Sequence, residues 1–142
     1  MIKSTNVVYE LLPGNYYIGD ISYFLQDSII NKIHFKQDNI YFNGDNKKGL
    51  VVIKPSYGNG LYEGSDNFIY DIEENNIGIV HVSLGEKSKF TGCGTFHSFV
   101  NPVRVTIANH IFIVESGLWN LNINMNDCYN IPSDDEGYDS WG

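Results

Sequence analysis

Six residues stand out by type and position: Asp20, Tyr23, Tyr57, Asn59, Tyr62 and Glu73. Two carboxylates converging on one cleft could divide acid and base roles, and tyrosines beside them could stack on a ring or a sugar. Asn59 shapes the reading, because an amide takes up no proton at neutral pH but still makes hydrogen bonds. The six are therefore read as a ligand-binding set, with no catalytic residue assigned. A small enzyme using Asp20 and Glu73 is the alternative from another class. The plainer account has Asp20 capping a helix, Asn59-Gly60 forming a turn and the tyrosines filling the edge of a core.

Other combinations carry less chemistry. Cys93 and His97 are four residues apart and would share a sheet face if 91–99 is extended, with His81, His110 or Cys128 as completing ligands. Metal sites of this kind usually show tighter, repeated ligand pairs, so no metal is expected. Thr91-Gly92-Cys93-Gly94-Thr95 is glycine-rich, yet it has no phosphate-binding lysine and no helix after it. A cysteine nucleophile there would need a lowered thiol pKa and a base such as His97. The stretch is read as a turn, and no cofactor is implied.

These groups sit in a chain of 142 residues with net charge −8 and a pI near 4.7. Such a chain is repelled by phosphate backbones, so sequence-independent nucleic-acid binding is not expected. Asp134, Asp135, Glu136 and Asp139 fall in an acidic tail, 131–142, that follows one β-rich domain over 1–130. Lys47, Lys48 and Lys54, or Lys87 and Lys89, are basic patches that could meet an anion. Two cysteines without a CxxC need not pair, and reduced thiols fit a cytoplasmic location. No membrane-length apolar run, no apolar signal segment and no Asn-x-Ser/Thr sequon occur, so neither a membrane nor a secretory route is expected.

Apolar residues make up 42% and aromatics 14%, with ten Tyr and eight Phe, a composition suited to pleated, half-buried surfaces. Turn signals at Pro13-Gly14, Asn43-Gly44-Asp45, Asn59-Gly60, Asn75-Asn76 and Ser116-Gly117 cut the chain into short segments. Residues 39–42 and 50–53 read as one hairpin, and 68–72 with 77–84 as a second. Strands are expected at 96–100, 103–107, 111–115 and 119–123; Leu121, Ile123 and Met125 alternate there with Asn120, Asn122, Asn124 and Asn126. One segment differs: apolar residues at 21, 24, 25, 29, 30 and 33 have helical spacing, with Asp20 or Ser22 as N-cap. The expected fold is mainly β, a compact antiparallel β-barrel or sandwich with one short helix at about 21–33.

Three elements resemble a family of small proteins of unknown function found in phages, large DNA viruses and bacteria. That family opens on P-G-x-Y-Y-I-G-D-P-C-Y, continues with Y-G-D-G-x-Y and then has Y-x-V-D-x-G-x-I-G-I-V. Here the first is Pro13-Gly14-Asn15-Tyr16-Tyr17-Ile18-Gly19-Asp20-Ile21-Ser22-Tyr23, the second Tyr57-Gly58-Asn59-Gly60-Leu61-Tyr62, and the third runs from Tyr70 to Ile77-Gly78-Ile79-Val80. Ile21-Ser22 replaces the family's Pro-Cys, Asn59 its turn Asp, and Glu73-Glu74-Asn75 its Asp-x-Gly. The resemblance spans roughly residues 12 to 84 and brings no activity with it. The functional expectation is a non-catalytic binding module, of viral or phage origin, acting in host cytoplasm or virion. It would hold a small, nucleotide-like ligand or a protein partner. A minor capsid or cementing protein is the structural alternative, and the oligomeric state is left open.

Overall fold

Alternation of apolar and polar residues builds the C-terminal half. In β9 (Val103–Ala108), Val103, Val105 and Ile107 are buried while Arg104 is exposed. β10 (Ile111–Ser116) buries Phe112, Val114 and Ser116; β11 (Trp119–Asn124) buries Leu121 and Ile123. Asn120, Asn122 and Asn124 form the expected exposed row. Successive side chains on a strand point to opposite faces, so each strand offers one face to a core. Asn109 and His110 both take positive φ, 51° and 63°, the two-residue turn whose twist matches its flanking strands. β1 (Asn6–Leu11) adds beside β9, giving an antiparallel sheet in the order β1-β9-β10-β11.

This computed structural model describes residues 6–35, 39–43, 49–55, 58–74, 76–126 and 128. Tyr57, Lys47, Lys48 and the acidic tail from 131 to 142 lie outside the described residues. The second sheet is formed by β3 (Ile40–Asn43), β4 (Leu50–Ile53), β7 (Ile77–His81), β2 (Gly14–Asp20) and β8 (Gly94–Phe99), in that spatial order and antiparallel throughout. β5 (Gly60–Glu63) and β6 (Ile69–Ile72) pair with each other, and Gly64 bridges to Ile123 of β11.

β4 is apolar and buried along its whole length because it meets a core on each face. Val51, Ile53, Ile77 and Ile79 join the larger core with the β9–β11 residues. Leu50, Val52, Val80 and Tyr17 point the other way, into a smaller core closed by residues 21–35. The arrangement is a sandwich with a third, irregular layer. The sheets do not close on each other, so the barrel alternative is set aside.

Two local expectations are corrected. Residues 21–33 do not form one helix: a 3-10 turn at Ile21–Tyr23 and a single α-turn, α1 (Asp27–Ile30), flank an extended break. The break has a cause in hydrogen bonding. Gln26 N–H donates to the Leu84 carbonyl (3.1 Å) and Glu86 N–H to the Phe24 carbonyl (2.7 Å), replacing helical partners with a bridge to the 82–86 segment. The apolar spacing still reports burial, since Ile21, Phe24 and Leu25 lie in the smaller core and Ile29, Ile30 and Ile33 pack on it. The pairing of 68–72 with 77–84 also fails. β6 pairs back onto β5, whereas β7 ends at His81 and lies between β4 and β2.

The glycines of the first and third motif elements meet side by side. Gly78, Gly19 and Gly94 are register partners across β7, β2 and β8. A Cβ on Gly19 would lie 2.7 Å from Gly94 Cα and 2.8 Å from the Tyr17 hydroxyl; one on Gly94 would lie 2.5 Å from both the Ile18 carbonyl and the Tyr17 ring. Tyr17 thus folds over a floor without side chains, where it is fully buried and donates to the Asp20 carbonyl at 2.9 Å. Gly94→Ala is expected to cost about 1–3 kcal/mol, the scale of overpacking a closed core. Urea unfolding checks this against Ser98→Ala, an exposed position on the same strand, which should leave the midpoint unchanged.

Candidate functional site

β2 ends on Asp20, and its carboxylate is fully buried. Oδ1 accepts from Ser22 N (3.0 Å) and Ser22 Oγ (2.6 Å), capping the 3-10 turn. Oδ2 accepts from the backbone N–H groups of Glu73 (2.7 Å) and Glu74 (3.3 Å), where the chain leaves β6. A carboxylate accepting several backbone donors is an anchor for those segments. Both oxygens are taken up by the chain's own donors, and neither is open to solvent.

Beside it, the Tyr23 hydroxyl donates to Glu73 Oε1. The bond to that carboxylate, with the nearby negative charge, raises the Tyr23 pKa to about 12. Asp71, two residues earlier on β6, has its carboxyl pushed up by burial, by the charge and hydrogen bond of Glu73, and by Asp20. Three of the six candidates, Asp20, Tyr23 and Glu73, therefore meet at one corner with Asp71. The chemistry of that corner is acidic and proton-sharing.

The remaining candidates lie elsewhere. Tyr62 is fully buried in the larger core, and its hydroxyl donates to the Gly58 carbonyl at 2.9 Å, closing the 58–62 turn. Asn59 is exposed within that turn. Tyr57 is outside the described residues. Cys93 and Cys128 are not joined in a disulfide. β8 starts only at Gly94, so Cys93 does not share a strand with His97: Cys93 contacts the Thr91 hydroxyl (3.2 Å), and His97 Nε2 bonds the Thr95 hydroxyl (2.8 Å). No group of three or more metal-ligating side chains occurs among the described residues, and none of their helices is long and apolar enough to cross a membrane.

A further surface was not singled out by residue type. Tyr17, Phe24, Phe90 and Phe96 form a cluster in which Tyr17 stacks on Phe24 at 4.7 Å and Phe96 meets Phe24 at 5.3 Å and Phe90 at 4.9 Å. Two of its rings reach solvent, Phe90 at 38% and Phe96 at 46% exposure. A groove of about 410 Å³ runs beside them, lined by Phe24, Val82, Lys87, Phe96 and Ser98 among others. The available signal was the uncharged run Gly94–Phe99, but its place at a sheet edge depends on long-range pairing. Comparison with protein-family models, curated proteins and solved structures returns no match.

Two outcomes follow from the acidic corner. Asp20→Asn turns one buried acceptor into a donor facing either Ser22 or the Glu73 and Glu74 amides, and should cost about 3 kcal/mol in chemical denaturation. Asp71 works in the other direction. Its raised pKa means the folded state binds the proton more tightly, so its carboxylate penalises folding at neutral pH and the penalty fades on acidification through that raised pKa. Asp71→Asn, which can still donate to Glu73, should stabilise the protein at pH 7 by about 0.5 kcal/mol, the scale of an exposed charge pair. Thermal unfolding curves of variant and parent should converge towards pH 4.

Proposed function

We propose that the protein is a non-catalytic binding module that docks an extended segment of a protein partner along the outer edge of β8. The observation that carries this is the state of that edge. β8 pairs with β2 on one side and with no other described strand on the other. Natural sheet edges are usually shortened, charged, bulged or interrupted by proline, because an open edge templates pairing with another chain. β8 has none of these guards: it runs Gly94-Thr95-Phe96-His97-Ser98-Phe99. By contrast, β3 is four residues long and β1 carries Glu10.

A strand added there gains main-chain hydrogen bonds for affinity, with side-chain pockets alongside for selectivity. The aromatic groove beside Phe96 suits an apolar side chain, and Lys87 at its rim suits an acidic one. The acidic corner does not compete for this role, since Asp20 is closed off by its own hydrogen bonds. In the setting that the motif resemblance implies, a phage or a large DNA virus, the module would act in the host cytoplasm or on the particle. The docked segment would then come from a host or virion protein.

Selection from a displayed library of linear peptides, followed by amide chemical-shift mapping, tests the reading. Bound peptides should move the Gly94–Phe99 amides and share an apolar residue near an acidic one. Phe96→Asp should weaken them at least about tenfold, on the scale of one buried aromatic contact, with the fold unchanged. Binders that leave β8 unmoved, or that ignore Phe96→Asp, would remove the proposal.

A further inference from the structure

A hydrogen-bonded chain crosses the larger core and ends on a half-buried imidazole. Tyr70 OH lies 2.9 Å from Asp66 Oδ2 and 3.0 Å from Thr95 Oγ1, and Thr95 Oγ1 lies 2.8 Å from His97 Nε2. Counting protons orients the whole chain. A carboxylate only accepts, so Tyr70 spends its single proton on Asp66. Thr95 must then donate to Tyr70, which spends its own proton. The contact between Thr95 and His97 is left with one available donor, the Nε2–H of the imidazole. Burial depresses the His97 pKa against the opposing charge of Asp66 and keeps the ring neutral at neutral pH. Burial also raises the Tyr70 pKa, which keeps the middle of the chain protonated.

A neutral imidazole with its proton on Nε2 carries a lone pair on Nδ1. Among the described residues Nδ1 has no hydrogen-bond partner. The ring sits at the mouth between the edge strands of the two sheets, β8 and β11. It is 4.7 Å from the Trp119 ring and 5.8 Å from Phe99, and Phe99 and Trp119 are themselves 5.0 Å apart. A cavity of about 270 Å³ opens there, with Trp119 and Phe99 as apolar walls and Asn101 and Ser98 as polar ones. The Asn101 and Ser98 side chains make no hydrogen bond to other described residues.

We propose that this mouth is a binding site for a neutral saccharide, its ring stacked on Trp119 and one hydroxyl donating to His97 Nδ1. The chemistry selects this class. Among the described residues no formally charged side chain lines the cavity, and the chain's net charge of −8 disfavours a phosphate or carboxylate. The fixed acceptor on His97 asks for a donor. The amide of Asn101 both donates and accepts, which fits a ligand rich in hydroxyls. An apolar wall with a few placed polar groups is the usual make-up of a small-ligand site. The Asp66–Tyr70–Thr95 chain acts as a positioning device, because it decides which imidazole nitrogen faces the ligand. The site shares β8 with the docking edge proposed above but rests on Trp119 and the opposite face of the strand from Phe96.

The test has two arms on the full-length protein. In the first, imidazole nitrogen NMR should find His97 as the Nε2–H tautomer, and Thr95→Val should release it to a mixture. In the second, methyl glucoside, methyl galactoside, N-acetylglucosamine and maltose are titrated while the Trp119 indole N–H signal is followed. At least one should shift that signal saturably. Trp119→Ala should abolish the response, Trp119→Phe should retain part of it, and Thr95→Val should weaken it about tenfold, equivalent to ~1.4 kcal/mol. Phe96→Asp should leave it unchanged, which separates this site from the β8 groove. The proposal is overturned if no saccharide moves the indole signal, if adenine or indole moves it where saccharides do not, or if Thr95→Val leaves the tautomer as it was.

Discussion

The Asp20 carboxylate is the constraint on which the fold turns. It joins three things that the chain could otherwise arrange independently: the end of β2, the 3-10 turn that follows and the exit from β6. Its four accepted hydrogen bonds fix where the chain leaves one sheet and enters the next. Without them, the Glu73 and Glu74 amides would be unpaired at a part-buried corner already crowded with acid. The Tyr17 hydroxyl adds a further tie by donating to the Asp20 carbonyl. The glycine row beneath Tyr17 and the caps around Asp20 form one unit. That unit explains why tyrosine, glycine and aspartate stand so close together in Tyr16-Tyr17-Ile18-Gly19-Asp20.

What was legible in the sequence was mostly local. The β9–β11 meander follows from period-two alternation and tight turns, and its exposed asparagine row was readable residue by residue. The hairpin of β3 with β4 was equally plain. Pairing between distant segments was not. An Asn75-Asn76 corner marks a turn, but whether the flanking strands pair depends on what else competes for their edges. β5 and Asp20 compete for β6, and β4 and β2 take β7. Residues 21–33 show the same limit. Their apolar spacing correctly marks which side chains face the smaller core, while the Gln26 N–H and the Phe24 carbonyl that a continuous helix would use are paired with Leu84 and Glu86 instead.

The candidate residues divide by the same logic. Residue type identified Asp20, Tyr23 and Glu73, and the fold brings these three together. Type says nothing of how many lone pairs are already in use. Only the structure distinguishes a carboxylate open to a ligand from one saturated by backbone amides. Tyr62 makes the point from the apolar side, since its ring fills the core and its hydroxyl closes a turn. The Asp66–Tyr70–Thr95–His97 chain was hidden for another reason. Its members come from two distant stretches, 66–70 and 95–97, with no sequence pattern linking them, and the direction of its protons follows only from the full set of contacts.

β8 is where these constraints meet. Gly94 must lack a side chain so that Tyr17 can lie across it, and Tyr17 in turn supports Phe24 and Phe96. The same strand sends Thr95 and His97 to the other face, where they complete the chain to Asp66. A glycine at the start and a half-buried histidine in the middle leave no inward position for a guarding charge. On the outer face, Phe96 is half-exposed yet touches three rings, so replacing it with lysine would give up those ring contacts as well as close the edge. The openness of β8 is thus tied to packing on both faces, and a mutation that guards the edge also gives up contacts on one of them.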